Sequence, residues 1–470
     1  MYKSSKRNID FTEGSLFKKL ILFAMPIMLT SVLQLIYSLA DQMIVGRFSG
    51  DPLALAAVGS TASLTSLIVN LFVGISGGTA VLVAQAYGAK DDRTLSLASH
   101  TSLVLSLIGG AAFLLITYFV TPHALAAMGT LPELIDSATL YMQIICIGIP
   151  ASSVFNFCAS TLRSVGDSKT PLIILSSTGL INVAFNILFV VGFHMSVDGV
   201  ALATIISQYA SAVWVVIVLV ARKEESYSIK LSGLKIHVPT LLRILKYGVP
   251  ISLQSAMYGI SNVVLTSAAN SFTAIELSAK TITGSIEGIV YIAMNSYLHA
   301  TMTLTAQNYG AGKYDRIKRA FKYSVIQVTV IGVAVGALLI ALGRPIMSLF
   351  IDAADPNKEL IIQCGMPLLV IMAGLYFLCG LQETFAGLLR GLGYSVLPMI
   401  MSLIGICVVR IVWVYGLFYN IPALKTLIGL FTVYPISWAI AGLALLICIF
   451  IAFAKLDKRS QKFDVNENRF

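Results

Sequence analysis

The segment Ala84-Gln85-Ala86-Tyr87-Gly88-Ala89 returns 222 residues later as Ala306-Gln307-Asn308-Tyr309-Gly310-Ala311, and that recurrence decides the fold. Two further stretches repeat in the same order. Pro26-Ile27-Met28-Leu29-Thr30-Ser31 returns as Pro250-Ile251-Ser252-Leu253-Gln254-Ser255. Leu162-Arg163-Ser164-Val165-Gly166 returns as Leu389-Arg390-Gly391-Leu392-Gly393, with Pro171 matched by Pro398. The offsets are 222, 224 and 227 residues, so the register drifts by only a few positions over half the chain. One such match would be cheap in an apolar sequence. Three in order, each at a corresponding helix end, mark an internal duplication.

Both copies are too apolar for water. Of 470 residues 57% are hydrophobic and 11% charged, against ~25% charged in soluble domains. The mean hydropathy is +0.86. A membrane-spanning helix needs ~20 mostly apolar residues. Such runs lie at about 17–46, 53–87, 95–121, 134–161, 171–193, 198–221, 240–270, 275–309, 320–343, 359–389, 396–419 and 428–454. The expected fold is an all-α membrane protein of twelve transmembrane helices, with polar Gly and Pro breaks such as Gly46–Pro52 between them. The longer runs exceed a straight crossing and imply tilt, kinks or extensions.

The charges orient these helices. With the N-terminus inside, strict alternation puts 26 Lys and Arg on the cytoplasmic side. Five fall outside (Arg47, Lys280, Arg344, Lys358 and Lys425), and Arg410 stays within a span. That is the positive-inside pattern. The net charge of +10 is thus a topogenic signal, not a nucleic-acid footprint. Six spans is an even number, so both copies enter from the same side and form a parallel repeat. The reading gives a six-helix lobe at 1–221, a basic cytoplasmic linker at 222–239, and a second lobe with a cytoplasmic tail at 240–470. A central cleft between the lobes, and rocking about it, is the expected basis of transport. The six cysteines (Cys146, Cys158, Cys364, Cys379, Cys407, Cys448) are scattered without a C-x-x-C and read as packing residues. There is no H-E-x-x-H and no G-x-x-x-x-G-K-[ST]. No metal, no ATP hydrolysis and no enzymatic activity is expected. Met1–Gly14 is polar and does not read as a signal peptide. Gly74-x-x-x-Gly78 reads as a close-packing element.

The segment Ala40-Asp41-Gln42-Met43-Ile44-Val45-Gly46-Arg47, the two Ala-Gln-x-Tyr-Gly-Ala segments and the two Leu-Arg-x-x-Gly turns with their downstream prolines together resemble the multidrug and toxic compound extrusion (MATE) family, of bacterial type. The resemblance runs from about Gly14 to Lys455. It implies a twelve-helix antiporter with two six-helix lobes. It further implies export of organic, often cationic and amphipathic compounds, driven by inward flow of protons or sodium ions.

Ionisable and polar residues inside a span are costly and are read as functional candidates. Asp41, near the outer end of the first span, matches the family's first-helix aspartate. A carboxyl in a low-dielectric site can exchange a proton or hold a cation. Packing against a neighbour near the interface is the plainer alternative. The family often adds a second acid on the fifth span, where this chain has Asn186, four residues after Asn182 and on the same helix face. Amides can ligate an ion or hydrogen-bond a protonated Asp41, but they cannot titrate. One branch of the family carries acids on the seventh and tenth spans. Ungapped matching puts Tyr258 and Cys379 there. The acid Glu287 and the base Arg410 lie in the same lobe and are expected to neutralise each other, as a static pair or one that opens on binding. Glu383 reads as interfacial. The cation-coupling candidates are Asp41, Asn182, Asn186, Glu287 and Arg410. The substrate-cavity candidates are Gln34, Tyr37, Gln254, Tyr258, Asn262, Tyr291, Asn295 and Gln382, because aromatic faces beside amides suit flat organic cations.

The expected function is secondary-active efflux, with H+ or Na+ as coupling ion and no cofactor. The alternative is a lipid-linked saccharide flippase of the same plan, which would want an Arg- and Lys-rich cavity. The expected partners are a small organic substrate and the lipid bilayer, with no nucleic acid and the chain acting as a monomer. The expected location is the bacterial cytoplasmic membrane, multi-pass, with both termini cytoplasmic.

Overall fold

Twelve long helices account for most of the chain in a computed structural model, and no strand occurs among the described residues. The structure describes residues 8–49, 54–128, 130–352 and 355–467, with side chains left aside at 55, 63, 127 and 459–467. The predicted break at Gly50–Pro52 and the basic residue Arg469 lie outside them. In chain order the helices are α1 (Leu16–Phe48), α2 (Ala54–Gly88), α3 (Asp92–Ala127), α4 (Pro132–Ser164), α5 (Lys169–Asn186) and α6 (Val197–Ala221). The second half supplies α7 (Val238–Ala269), α8 (Ala274–Gly310), α9 (Tyr314–Ala341), α10 (Lys358–Gly391), α11 (Val396–Phe418) and α12 (Val433–Glu467). Each covers one predicted span. Among the described residues, ten helices are long and apolar enough to cross a membrane by composition alone; α7 and α8 are as long but more polar. The polarity of α8 comes from Glu276, Lys280, Glu287 and a run of Asn, Ser and Thr.

The duplication is visible in individual hydrogen bonds. After α2 the N–H groups of Ala89, Lys90 and Asp91 donate to the carbonyls of Gln85, Tyr87 and Ala86. After α8 those of Ala311, Gly312 and Lys313 donate to Gln307, Tyr309 and Asn308. The Leu-Arg-x-x-Gly turns match in the same way. Gly166 donates to Arg163 and Asp167 to Leu162, while Gly393 donates to Arg390 and Tyr394 to Leu389. Gly166 and Gly393 have φ of +93° and +91°, a left-handed backbone that only glycine adopts freely. These turns close helix ends that would otherwise leave carbonyls unsatisfied. The third member of the match is a pair of prolines, Pro26 inside α1 and Pro250 inside α7.

By contacts the chain forms two compact units. The first holds Met1–Asp10 and Met25–Ser252, the second Phe11–Ala24 and Leu253–Phe470. The first turns of α1 therefore belong to the second unit, and the first half of α7 belongs to the first. Within the first unit α4 is central and packs on α2, α3 and α6. Gly74 and Gly78 of α2 lie against Ser252, Gly248 and the Ile244 carbonyl, where a Cβ would overlap backbone. The small-xxx-small element thus seats the start of α7 against α2. Ser252 Oγ donates to the Leu71 carbonyl at 2.8 Å. Within the second unit α10 is central and packs on α8, α9 and α12. The arm before α1 is pinned here. Phe11 N–H donates to Gln307 Oε1 at 3.0 Å, and Asn308 Nδ2 and Arg316 Nη2 donate to the Phe11 carbonyl at 3.2 and 2.9 Å. Gln307 and Asn308, part of the repeated motif, so bind the arm as well as building the turn. All six cysteines are free thiols, five of them buried.

Replacing Gly166 or Gly393 by Ala is expected to cost ~1–3 kcal/mol each, because a Cβ is forced into a left-handed backbone. Gly109→Ala, in α3 with nothing within 4 Å of its Cβ position, is expected to be neutral or mildly stabilising. Thermal unfolding in detergent checks all three. Equal melting temperatures for the three variants would contradict the assignment of these turns.

Candidate functional site

The first unit builds a polar node from α1, α5 and α6. Asp41 is half-buried on α1, with Asn182 and Asn186 buried on α5. Asn186 Nδ2 donates to Asp41 Oδ1 at 2.5 Å and to Asn182 Oδ1 at 3.3 Å. Asn182 Nδ2 donates to Thr204 Oγ1 on α6 at 3.5 Å. The i, i+4 spacing on α5 puts both amides on one face, as the sequence implies. Asn186 Oδ1 is buried and has no hydrogen-bond partner among the described residues. An acceptor so placed beside a carboxylate leaves room in the chemistry for a proton or a small cation, whose ligands are oxygens. Regular α-helix ends at Asn186, and the chain continues as a π-helical turn over Ile187–Gly192. Such wide turns re-aim side chains and recur at functional sites. Tyr37, one turn before Asp41, donates its hydroxyl to the Ser176 carbonyl of α5 at 3.0 Å. Its ring lies over Gly179, where any side chain would collide. Gln34 is exposed on α1 and joins none of these bonds. Tyr141 on α4 lies within electrostatic reach of Asp41. The sequence reading missed it, since it stands in no motif and differs little from any intramembrane tyrosine.

The second unit holds two nodes. In one, Arg410 of α11 is buried. Its Nη1 donates to Asn262 Oδ1 of α7 at 2.8 Å and its Nε to Ser437 Oγ of α12 at 3.3 Å. The guanidinium lies 4.1 Å from the centroid of the Tyr434 ring, and the Tyr434 hydroxyl donates to Asn262 Oδ1 at 3.3 Å. π-Helical turns over Leu403–Val408 and Trp413–Phe418 flank Arg410. The static ion pair expected between Arg410 and Glu287 is not formed in this structure. Glu287 of α8 feels the charge of Arg410 and of Lys280, but among the described residues no ion pair within 4 Å joins it to either. Arg410 is held instead by neutral acceptors and a ring face, which compensate a guanidinium by hydrogen bonding and cation–π attraction.

The other node lies on α7, α10 and α11. Arg390 Nη2 donates to Gln254 Oε1 at 2.8 Å, and Gln254 Nε2 donates to the Tyr258 hydroxyl at 2.8 Å. Gln382 Nε2 donates to Tyr258 at 3.4 Å and to Ser402 Oγ at 3.2 Å. Three of the predicted cavity residues are thus tied to one buried network. Glu383, read from sequence as interfacial, is buried beside it at 6% exposure, within reach of the Arg390 charge seven residues on. Helix geometry explains the difference: position along α10 gives depth, while the face turned inward is set by packing on α8 and α9. Asn295 Nδ2 donates to the Tyr291 hydroxyl at 3.5 Å on α8, one turn apart. Among the described residues no group of His, Cys, Asp and Glu could hold a metal.

The MatE family model matches this chain twice, over residues 26–188 and 250–415. The chain is similar to the probable multidrug resistance protein YoeA of Bacillus subtilis, 26% identical over 92% of each chain. It is 25% identical to the multidrug export protein MepA of Staphylococcus saprophyticus, over 92% of this chain and 91% of that one. Among solved structures it is similar to a MATE family multidrug resistance transporter in its outward-facing conformation, with a TM-score of 0.88 at 21% identity over 97% of this chain and 100% of that chain. A MOP superfamily transporter from Pyrococcus furiosus gives a TM-score of 0.84 at 20% identity over 97% and 98%. Both carry the same all-helical fold. The chain is a membrane transporter, not an enzyme, and it belongs to the MatE family.

Proposed function

We propose that this chain is a secondary-active exporter of amphipathic, often cationic organic compounds, exchanged for protons or sodium ions as its two units rock. The observation that carries this reading is the first-unit node. Asp41 is the one carboxylate among the described residues that two buried amides of a neighbouring helix address in series. A carboxylate with oxygen acceptors beside it takes up a cation from water and loses it again with little change in hydrogen bonding. The π-turn at Ile187–Gly192 begins directly after Asn186, so occupancy of the node acts on a part of α5 that is already off regular geometry. Relatives named as multidrug resistance and multidrug export proteins support an organic substrate. The flippase alternative wants several intramembrane cations free to grip a pyrophosphate. Arg410 and Arg390 are instead both committed to amide acceptors of α7.

In the cycle we propose, Asp41 loads a cation from outside as substrate leaves. The units then rock, the cation is released inside, and new substrate binds. Occupancies of cation and substrate compete even where their sites differ. Asp41→Asn is expected to insert and fold yet to lose transport of fluorescent organic cations in proteoliposomes, under both an imposed pH gradient and an imposed sodium gradient. Undiminished gradient-driven transport would remove Asp41 as the coupling residue. The Arg410 node is expected to behave differently. Asn262→Leu leaves a buried guanidinium short of its acceptor and should cost ~1–3 kcal/mol. A lower melting temperature in detergent would show it, with the gradient dependence of residual transport unchanged.

A further inference from the structure

The two units use corresponding turns differently. In the first, Asp167 follows Gly166 and is 1% exposed. It accepts the Thr170 N–H at 3.0 Å, the Thr170 hydroxyl at 2.6 Å and Arg222 Nη2 at 2.5 Å. Arg222 stands directly after α6, the sixth helix of its unit. Its guanidinium also donates to the Tyr227 hydroxyl at 3.0 Å. This corner neutralises and fills itself. Arg222, a topogenic charge by its place in the sequence, thus also closes the turn through Asp167.

In the second unit the residue after the corresponding Gly393 is Tyr394, so the acid is gone. On α12, the sixth helix of this unit, just where its apolar run gives way to charge, stand Lys455 and Lys458, on one helix face at i, i+3. With Tyr309, Leu392, Tyr394 and Leu456 they line a cavity of about 240 Å3. Asp457, between the lysines in sequence, is taken by Lys318 of α9 in an ion pair. Among the described residues neither Lys455 nor Lys458 makes a hydrogen bond or ion pair of its own. Leu392 and Leu456 are buried and give the cavity an apolar floor. The cavity opens at the end of the helices where the chain concentrates its basic residues.

We infer that this cavity binds a phosphate-bearing anion, which supplies the negative charge that Asp167 supplies in the first unit. The shape of the site favours a phospholipid headgroup as the source. Lysine and tyrosine at the ends of spanning helices lie at headgroup level. Basic pockets among such helices select anionic lipids, and the leucine floor accepts the glycerol and first acyl carbons. The lysines pair with the phosphate oxygens while the Tyr394 hydroxyl donates to them. No bond is made or broken. The inference is independent of the transport reading, because its test is binding and stability without a gradient.

The experiment uses the full chain in dodecyl maltoside, with thermal unfolding followed by size-exclusion after heating. Phosphatidylglycerol, phosphatidylcholine and inorganic phosphate are added in separate arms. Phosphatidylglycerol is expected to raise the melting temperature by several degrees more than phosphatidylcholine. The double variant Lys455→Gln, Lys458→Gln should lose most of that increment and keep its melting temperature in phosphatidylcholine. Lys455→Arg with Lys458→Arg should retain the increment, which guards against a variant that simply folds poorly. The charge-matched pair Lys223→Gln, Lys246→Gln in the first unit should retain it as well. Stabilisation by inorganic phosphate equal to that by the lipid, and lost in the same double variant, keeps the anion site and makes its source a soluble phosphate. No difference between the two lipids for the wild-type chain overturns the inference. So does full retention of the increment in Lys455→Gln, Lys458→Gln.

Discussion

A bilayer offers the peptide backbone no hydrogen-bond partner, and every other feature of this chain answers to that constraint. It leaves helices and closed barrels as the ways through, and runs of ~20 apolar residues cross as helices. It also turns short polar side chains back on their own helices: the hydroxyls of Thr30, Thr178, Thr204 and Ser296 donate to the carbonyls of Pro26, Ile174, Val200 and Ile292. Where a helix must stop, its last carbonyls are taken by the N–H groups of a tight turn, and the duplicated Gly166 and Gly393 turns make the same bonds. Larger polar groups meet the same demand through partners on other helices, and those partners are what make the nodes.

The same physics decides what the sequence can disclose. Hydropathy is a property of a residue in its place along the chain, so the spans could be read directly. The placement of lysine and arginine is read by the membrane rather than by the fold, so it sets an expectation of orientation that the packing of the helices does not address. The turns repeat because glycine is needed wherever φ is positive, and that need shows as a letter. The nodes are another matter. Whether Glu383 faces lipid headgroups or the packed interior depends on the rotation of α10 against α8 and α9, which no single span encodes. Arg410 and Glu287 look like natural partners because they are opposite charges in one lobe. Asn262, Ser437 and Tyr434 on two further helices satisfy the guanidinium instead. The π-turns after Asn186 and around Arg410 have no letter of their own, since they arise when packing rewards one extra residue in a turn. Asp41 with Asn186 was legible because both lay where the family resemblance put its acids, and because i, i+4 spacing fixes a helix face.

Duplication gave the chain two copies of one frame, and the copies have been charged differently. In the first unit α1 offers a carboxylate and α5 an amide, Asp41 with Asn186. In the second α7 offers an amide and α11 a guanidinium, Asn262 with Arg410, at offsets of 221 and 224 residues. Both links join the first and fifth helices of a unit, and in both the fifth helix is wound into a π-turn within a few residues. The geometry is shared and the sign is reversed.

That reversal bears on which copy is able to couple to an ion. A guanidinium stays protonated at any pH a cell meets. Arg410 therefore cannot load and release a proton, and it repels a sodium ion. Its charge is constant, and in this structure it ties α11 to α7 and α12. A carboxylate can be charged or neutral and can be shared with a cation, and the amides of α5 can accept or donate to suit each state. On the proposed function, then, the variable element belongs in the first unit and the constant one in the second. The corner turns divide the other way. There Asp167 and Arg222 close the first unit with an ion pair, while Lys455 and Lys458 leave the second with charge to spare. In a medium where an unpaired charge is costly, a duplicated fold can hold one copy rigid by internal pairing. Its twin is then free to take its partner from outside.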